Sequence, residues 1–211
     1  MRLFFATALL ACCATMAGGQ ALPPAAVAPA EAPAPRPALV HVLLTTAAGP
    51  ITLALEKERA PVTTANFLHY VDSNRLDGMS FYRAMAYGAD GGLVQGGVRD
   101  PKKVYPPIAH EPTSQTGLRH VDGTLSMARG APGSAAADFF ITLGPIPALD
   151  ADPALPGDNL GFAAFGHVVE GMDVVRKILS APIDPALGEG IMKGQMIAEP
   201  VRILTARRVQ P

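Results

Sequence analysis

The chain has 211 residues, a formal net charge of −1 and 17% charged residues. This length suits one sizeable domain with extra segments, and the near-zero charge gives no electrostatic footprint for nucleic acid. The two cysteines, Cys12 and Cys13, are adjacent near the N-terminus, which excludes a disulfide framework and a cysteine-based metal site for the rest of the chain.

Residues 1–21 are typical of an export signal. Arg2 supplies the positive charge, an apolar run over residues 3–14 is too short to span a bilayer, and small residues follow. Cleavage after Ala17 or Ala21 would suit this pattern. A helix retained as part of the fold is the weaker alternative, because a proline-rich stretch follows at once.

A second interpretation of the same segment is a lipid anchor. Leu9-Leu10-Ala11-Cys12 resembles a bacterial lipobox, in which Cys12 would be lipidated. The sequence therefore predicts an exported, periplasmic protein, either free or attached to the membrane through Cys12 alone.

Residues 22–38 form a Pro/Ala-rich linker. This composition resists a packed core and favours extended polyproline II, so the segment is a semi-rigid spacer or a plain disordered leader. The folded domain is predicted to span residues 39–211.

The folded part begins with a β-hairpin. Residues 39–46 and 51–56 are rich in β-formers, and Gly49-Pro50 lies in the turn between them. Pro61 opens a helix, since a missing N–H costs little at that position. Further strands are predicted at residues 80–85, 93–98, 124–128, 139–143, 162–168 and 201–205, and a second helix at residues 172–179. Many short strands with two helices suggest a closed antiparallel barrel with helices at its open ends.

Six short motifs, in this order, resemble the cyclophilins, which are peptidyl-prolyl cis-trans isomerases. They are Ala60-Pro61-x-Thr63-x-x-Asn66-Phe67, Phe81-Tyr82-Arg83, Gln95-Gly96-Gly97, Gly123-Thr124-Leu125-Ser126-Met127-Ala128-Arg129, Phe139-Phe140-Ile141 and Phe165-Gly166-x-Val168-x-x-Gly171-Met172-Asp173-Val174-Val175. The match covers residues 39–206, and Ala128-Arg129 looks like the bacterial branch. The resemblance implies a mainly β fold: a closed eight-stranded antiparallel barrel capped by two α-helices.

The resemblance also implies a site. Arg83 matches the catalytic arginine, and Gln95 matches the pocket glutamine that would fix its guanidinium. An apolar pocket would hold the proline ring, and the backbone at Ala128 and Arg129 would pair with the substrate as an added strand. The predicted substrate-binding residues are Phe140, Leu93, Met127, Ala128, Arg129 and Phe162.

This residue set suits rotation about an X–Pro bond. The barrier is about 20 kcal/mol because the amide is partly a double bond. Twisting localises a lone pair on the prolyl nitrogen, and an arginine donor aimed there stabilises the twisted state more than the planar one. The chemistry requires no cofactor and no metal. The predicted partners are proline-containing peptides and unfolded protein chains. The protein itself is predicted to be a monomer.

The pattern departs from the family in the proline pocket. The arginine and the glutamine are twelve positions apart here, whereas the family separates them by eight. Gly92 occupies the place of an aromatic wall, which is either missing or supplied by Tyr87 from the inserted loop.

Two further family positions also differ. Asp138 replaces the glutamine that usually precedes Phe-Phe. The pocket tryptophan has no clear match, with Leu155 or Leu160 as stand-ins. These changes keep open an alternative function, a cyclophilin-like peptide-binding module or chaperone with little isomerase activity.

Overall fold

A computed structural model describes residues 38–88, 91–154 and 157–210. The strands within these ranges are β1 (Leu39–Thr46), β2 (Gly49–Glu56), β3 (Ser80–Tyr87), β4 (Gly91–Gly97), β5 (Thr124–Met127), β6 (Phe139–Leu143), β7 (Ala163–Glu170), β8 (Ile183–Asp184) and β9 (Met196–Val209). The helices are α1 (Pro61–Asp72), α2 (Thr113–Thr116) and α3 (Met172–Leu179).

Eight of these strands close into an antiparallel barrel. The order around the ring is β1, β2, β7, β5, β6, β4, β3 and β9, and β9 pairs back onto β1. The two-residue β8 pairs with β9 beside the ring. Closure gives each barrel strand a partner on both sides, so the ring exposes no strand edge. The predicted mainly β, eight-stranded barrel is confirmed.

The observed bounds differ from the predicted ones mainly at strand ends. Strand β2 begins at Gly49, inside the predicted turn, and β9 begins at Met196 rather than at residue 201. Helix α3 has the predicted bounds, and α1 begins at Pro61 as predicted. The single turn of α2 was not predicted, because Thr113–Thr116 is too short to show helical periodicity.

The start of α1 depends on a residue far along the chain. The residue before it, Ala60, offers no side chain for capping. The buried carboxylate of Glu111 instead accepts hydrogen bonds from Val62 N at 3.1 Å, Thr63 N at 2.7 Å and Thr63 Oγ1 at 2.6 Å. A negative charge at the N-terminus of a helix is favourable, so Glu111 acts as a remote cap.

Side chains fill the interior of the barrel. Phe67 of α1 packs edge-on against Phe139 at 5.3 Å and lies 5.4 Å from Phe165, and Phe81 meets Phe139 at 5.7 Å. The largest fully buried side chains also include Leu44, Ile51, Leu53, Leu55, Leu125, Met127 and Ile141. Because the interior is packed, a substrate site has to lie on the outer face.

Parts of the sequence-based interpretation fall outside the described residues. These are the export signal, including Cys12, and residues 22–37 of the linker. In the part of the chain that the structure describes, no helix combines the length and apolarity needed to cross a membrane.

Candidate active site

The candidate site lies across three neighbouring strands on the outside of the barrel. Arg83 of β3 is opposite Gln95 of β4, and Gln95 is opposite Phe140 of β6. Directly opposite residues of antiparallel strands project to the same face. Three residues that are distant in sequence therefore form one row, and Met85 opposite Leu93 begins the next row.

The extra residues between Arg83 and Gln95 extend a hairpin and do not interrupt the site. Pairing continues past the row as Ala86 opposite Gly92 and Tyr87 opposite Gly91. The insertion therefore lies at the far end of the β3–β4 hairpin. The longer spacing between Arg83 and Gln95 therefore reflects a longer hairpin, and the two residues are directly opposite each other.

A β-bulge at Tyr82 adds a third polar group to the row. Phe81 pairs with Gly96 and Arg83 with Gln95, which leaves Tyr82 as the extra residue of β3. Gln95 Nε2 donates to the Tyr82 hydroxyl at 2.7 Å. Burial, assisted by the neighbouring Asp138, raises the pKa of Tyr82 well above its ordinary value. The hydroxyl therefore stays protonated and holds the glutamine amide in one orientation.

Two neutral amides hold the guanidinium of Arg83. Its Nη1 donates to Gln95 Oε1 at 2.8 Å, and its Nε and Nη2 donate to Gln195 Oε1 at 2.9 and 2.7 Å. Burial lowers the pKa of Arg83, but guanidinium stays protonated in proteins. The charge is thus fixed in position without an anionic partner among the described residues.

Gln195 is a site residue that the sequence did not reveal. It directly precedes β9, and Ala84 N donates to its carbonyl at 2.9 Å, which docks this segment beside β3. No motif marks it. Its contact with Arg83 arises from the pairing of β3 with β9, two strands that lie far apart in the sequence.

A cavity of about 620 Å³ opens beside Arg83 and Gln95. Its apolar wall next to these donors consists of Met85, Leu93, Phe140, Leu149 and Phe162. The rings of Phe140 and Phe162 meet edge-on at 5.6 Å. An apolar pocket with one fixed cation and one amide is suited to an uncharged ring whose nitrogen accepts a hydrogen bond.

Most predicted substrate-binding residues line this cavity: Phe140, Leu93, Ala128, Arg129 and Phe162. Met127 does not line the cavity, so the prediction that it contacts the proline ring is wrong. It is 2% exposed and belongs to the hydrophobic core. The reason is register, because Met127 is opposite the core residue Phe139 and shares its face.

The wall that the family builds with aromatic residues differs here. Tyr87 is 51% exposed and is not part of the cavity lining, so it does not replace the missing aromatic. Gly92 points away from the cavity, since a Cβ on it would lie 2.3 Å from Met85 O and 3.0 Å from Leu179 Cδ1. Met85 lines the cavity on this side.

The cavity lining also bears on the two stand-ins considered for the pocket tryptophan. Leu160 is absent from the cavity lining, and Leu149 of the neighbouring turn Pro147–Leu149 lines it instead. Leu155 lies outside the described residues. The sequence did not reveal Leu149 because the loop around it aligns poorly with the family pattern.

The side chain of Arg129 has a structural role that was not predicted. It is only 6% exposed and forms a bidentate pair with Asp158, with N···O distances of 2.7 and 2.8 Å. Its Nε donates to Gly161 O at 2.8 Å. The guanidinium holds the pKa of Asp158 at about 2. Arg129 thus ties the cavity rim to the loop that leads to Phe162, whose ring lies 5.2 Å from its Cζ.

The substrate-pairing edge predicted at Ala128 and Arg129 is partly occupied. Ala128 N donates to Asp138 O at 2.9 Å. The predicted pairing with a peptide therefore depends on the carbonyl of Ala128 and the amide of Arg129.

A buried hydrogen-bond chain supports Phe140 from behind. The His120 ring stacks on Phe140 at 5.9 Å. Burial lowers the pKa of His120, so the ring is neutral: Nδ1 donates to Asp150 Oδ1 at 2.7 Å, and Ser126 Oγ donates to Nε2 at 2.9 Å. Ser126 is fully buried, so this Ser-His-Asp arrangement braces the pocket floor and offers no accessible nucleophile.

The described residues contain no group of three or more His, Cys, Asp and Glu side chains placed to hold a metal ion.

Residues 41–208 match the family model described as cyclophilin type peptidyl-prolyl cis-trans isomerase/CLD. Peptidyl-prolyl cis-trans isomerase A of Dickeya dadantii is 41% identical over 143 residues, which cover 65% of this chain and 70% of that protein. Peptidyl-prolyl cis-trans isomerase B of Escherichia coli is 37% identical over 139 residues, covering 62% of this chain and 78% of that protein.

Solved structures agree on the fold. A cyclophilin type peptidyl-prolyl cis-trans isomerase of Cryptosporidium parvum superposes with a TM-score of 0.65 at 20% identity, covering 82% of this chain and 99% of that one. The same parasite protein has also been solved in the presence of the dipeptide Ala-Pro, and that structure superposes with a TM-score of 0.64.

Proposed function

Since the chain belongs to the cyclophilin-type peptidyl-prolyl cis-trans isomerases, we propose that Arg83 and Gln95 carry this activity on exported client proteins. The observation that supports the proposal is the fixed guanidinium of Arg83 beside an apolar cavity. Two neutral amides orient it, and no carboxylate of the described residues pairs with it. Its charge is therefore free to act on a substrate.

The proposed mechanism is stabilisation of the twisted amide. The proline ring enters the apolar wall, and the guanidinium donates toward the prolyl nitrogen as rotation localises its lone pair. The planar ground state offers a poorer acceptor, so the interaction favours the transition state. Because the amides orient the guanidinium before the substrate arrives, little reorganisation is needed.

We propose proline-containing peptides and unfolded chains as the substrates. The Cryptosporidium parvum relative solved with Ala-Pro supports this class. The reaction matters for folding, because uncatalysed X–Pro isomerisation takes tens to hundreds of seconds. The barrel closes within one chain, and we expect a monomer, which light scattering after gel filtration would test.

An isomerisation assay on a short X–Pro peptide tests the assignment. We expect Arg83→Ala to lower kcat/KM by about 100-fold or more, the effect of removing one transition-state donor. Arg83→Lys should remain impaired, because a lysine cannot reproduce the planar fork that both amides hold. Arg176→Ala, which removes an exposed arginine of α3, is the matched control. Full activity in Arg83→Ala would refute the assignment.

The same assay addresses the alternative function. The change from an aromatic wall to Met85 favours peptide binding with weak turnover. A protein of that kind would bind X–Pro peptides, detected as chemical-shift changes near Arg83, without accelerating isomerisation. A barrel that has no peptide site would show neither effect.

We propose that the protein acts in the periplasm. The support is the signal-like segment at residues 1–21 and the Pro/Ala-rich spacer after it. Mass spectrometry of the mature N-terminus distinguishes the two forms. Acylated Cys12 would establish an anchor, an unmodified N-terminus near Leu22 would establish a free protein, and an intact Met1 would contradict export.

A further inference from the structure

The cavity continues past the proline-ring wall to a second wall that carries one carboxylate. This second wall contains Asp138 together with Val98, Val104, Gly130, Ser134, Ala136 and Ala137. Among the described residues that line the cavity, Asp138 is the only acidic one. It also occupies the position where the family pattern has a neutral glutamine.

One oxygen of the Asp138 carboxylate lacks a hydrogen-bond partner, and the carboxylate faces the hydroxyl of Tyr82. Asp138 Oδ1 is buried and accepts no hydrogen bond. Gly97 packs directly against it, since a Cβ on that glycine would lie 2.4 Å from Oδ1. Burial raises the pKa of Asp138, and the Tyr82 hydroxyl and the positive charge of Arg99 offset part of this shift.

The cations near Asp138 are engaged elsewhere. Arg129 is paired with Asp158, and Arg83 is held by its two amides. Arg99 places its Cζ 4.5 Å from the centre of the Tyr82 ring and lowers the pKa of Asp138 from a distance. No described lysine or arginine nitrogen lies within 4.0 Å of the Asp138 carboxylate. The cavity wall therefore contains a carboxylate that has no cationic partner among the described residues.

The position of Asp138 relative to Phe140 sets the distance to the proline. Asp138 directly precedes β6, and both it and Phe140 line the cavity while Phe139 between them belongs to the core. Their side chains therefore project to the same side, about 7 Å apart. An extended peptide spans that distance with two residues. Ala128 N donates to Asp138 O, so this wall adjoins the edge proposed to pair with a client.

We propose that Asp138 is a specificity-determining residue, which selects client segments with a lysine or arginine two residues from the proline. This inference rests on the proposed isomerase function and adds a class of substrate to it. A cationic side chain gives this half-buried carboxylate the positive partner that no described residue supplies. A glutamate at the same place would put two like charges into a poorly hydrated wall, which is strongly unfavourable.

The test is a set of X–Pro peptides with lysine, glutamine or glutamate two positions before the proline, and a second set with the same residues two positions after it. In one of the two sets, we expect the native full-length protein to favour the lysine peptide over the glutamate peptide by about tenfold in kcat/KM. The value for the glutamine peptide should lie between these two. Asp138→Asn should reduce the difference to about twofold or less. Asp173→Asn, which removes an exposed carboxylate of α3, should leave it unchanged.

Different outcomes separate this inference from the proposed function. If the glutamine peptide is not accelerated at all, the isomerase assignment fails. In that event the ratio of Kd values for the lysine and glutamate peptides still tests Asp138. Equal rates and equal Kd values for these two peptides would refute the inference, and so would a preference that survives in Asp138→Asn.

A measurement on the native protein covers the case in which Asp138→Asn does not fold. The charged and titratable groups facing Asp138 are Tyr82 and Arg99, and neither changes protonation in the acidic range. Acidification from pH 7 to about pH 4 should therefore reduce the preference for lysine over glutamine as Asp138 takes up a proton. A preference that stays constant over this range would refute the proposal. Arg99→Gln should strengthen the preference, because it removes a competing positive charge.

Discussion

The guanidinium of Arg83 shows how much one residue depends on its neighbours. A motif can mark an arginine, but its charge becomes directional only because Gln95 and Gln195 hold it from two sides. Gln95 is in turn oriented by Tyr82. Each of these contacts joins residues from different strands or loops, so the site is a property of the assembled row.

Gln195→Leu tests the positioning of Arg83. Losing an acceptor for two guanidinium N–H groups should loosen the arginine and lower kcat by about tenfold, with KM nearly unchanged. Gln195→Asn, which keeps the amide on a shorter side chain, should recover part of the loss. A change confined to KM would mean that Gln195 contacts the substrate and does not position Arg83.

Asp138 also makes a prediction about stability. Burial raises the pKa of Asp138, so protonation of this carboxyl stabilises the folded state. The stabilisation is fully present below the pKa of the unfolded chain, near 3.9, and is lost as the pH rises through the pKa of the folded state. Asp138→Asn should therefore raise Tm at pH 7, and its advantage should shrink as the pH approaches 4. Thermal unfolding of both proteins across this range checks the sign, and a lower Tm for Asp138→Asn at pH 7 would contradict it.

The β3–β4 hairpin shows how an element reshapes a pocket. The additional residues lengthen both strands beyond the Arg83–Gln95 pair, which keeps the pair intact. Position 92 points away from the cavity, and Met85 lines the cavity on this side. The cavity therefore has a flexible thioether on this side, and the Arg83–Gln95 pair of donors is intact.

Restoring an aromatic residue should succeed at one of these positions and fail at the other. Gly92→Phe should cost about 2 kcal/mol or more, because even a Cβ would meet the carbonyl of Met85. Met85→Phe should be tolerated and should alter KM for X–Pro peptides. Chemical denaturation and the isomerase assay measure the two effects. A stable Gly92→Phe protein with increased activity would show that position 92 faces the pocket after all.

Helix α1 depends on a cap from outside its own sequence. Glu111→Ala should destabilise the fold by about 2 kcal/mol, because it leaves the amides of Val62 and Thr63 and the Thr63 hydroxyl without an acceptor. Glu199→Ala, at an exposed position of β9, should change stability by less than about 0.5 kcal/mol. Urea titration compares them, and equal small effects would exclude the capping role.

For the molecule as a whole, closure of the barrel connects the two ends of the domain. Strand β1 pairs with β9 through residues such as Leu43 with Arg207 and His41 with Val209. The same strand β9 runs beside β3, next to the segment that brings Gln195 to Arg83. Fold stability and site geometry therefore share one long strand.

Removing the end of this strand should open the barrel. A chain that stops at Leu204 loses the partners of His41 to Thr45 in β1, and we expect cooperative thermal unfolding to be lost. Substituting the exposed Arg208 by alanine, which keeps the strand, should retain a single transition. A cooperative transition in the shortened chain would show that β1 and β2 hold the ring without β9.

The sequence by itself determined the class of fold and the chemical type of the site. Short alternating strands, Pro61 at a helix start and six ordered motifs depend on local periodicity and on residues that lie close together in the chain, so they can be recognised without coordinates. Arg83, Gln95, Phe140, Leu93 and Phe162 were identified in this way, and the structure brings all five to one cavity.

Only the tertiary structure decided the details that depend on register. The bulge at Tyr82, the inward face of Met127 and the contact of Gln195 with Arg83 follow from which strands pair and in which alignment. A shift of one residue moves a side chain to the opposite face of a sheet. Because that alignment is set by packing between distant segments, the spacing between Arg83 and Gln95 could not show that the pair remains intact.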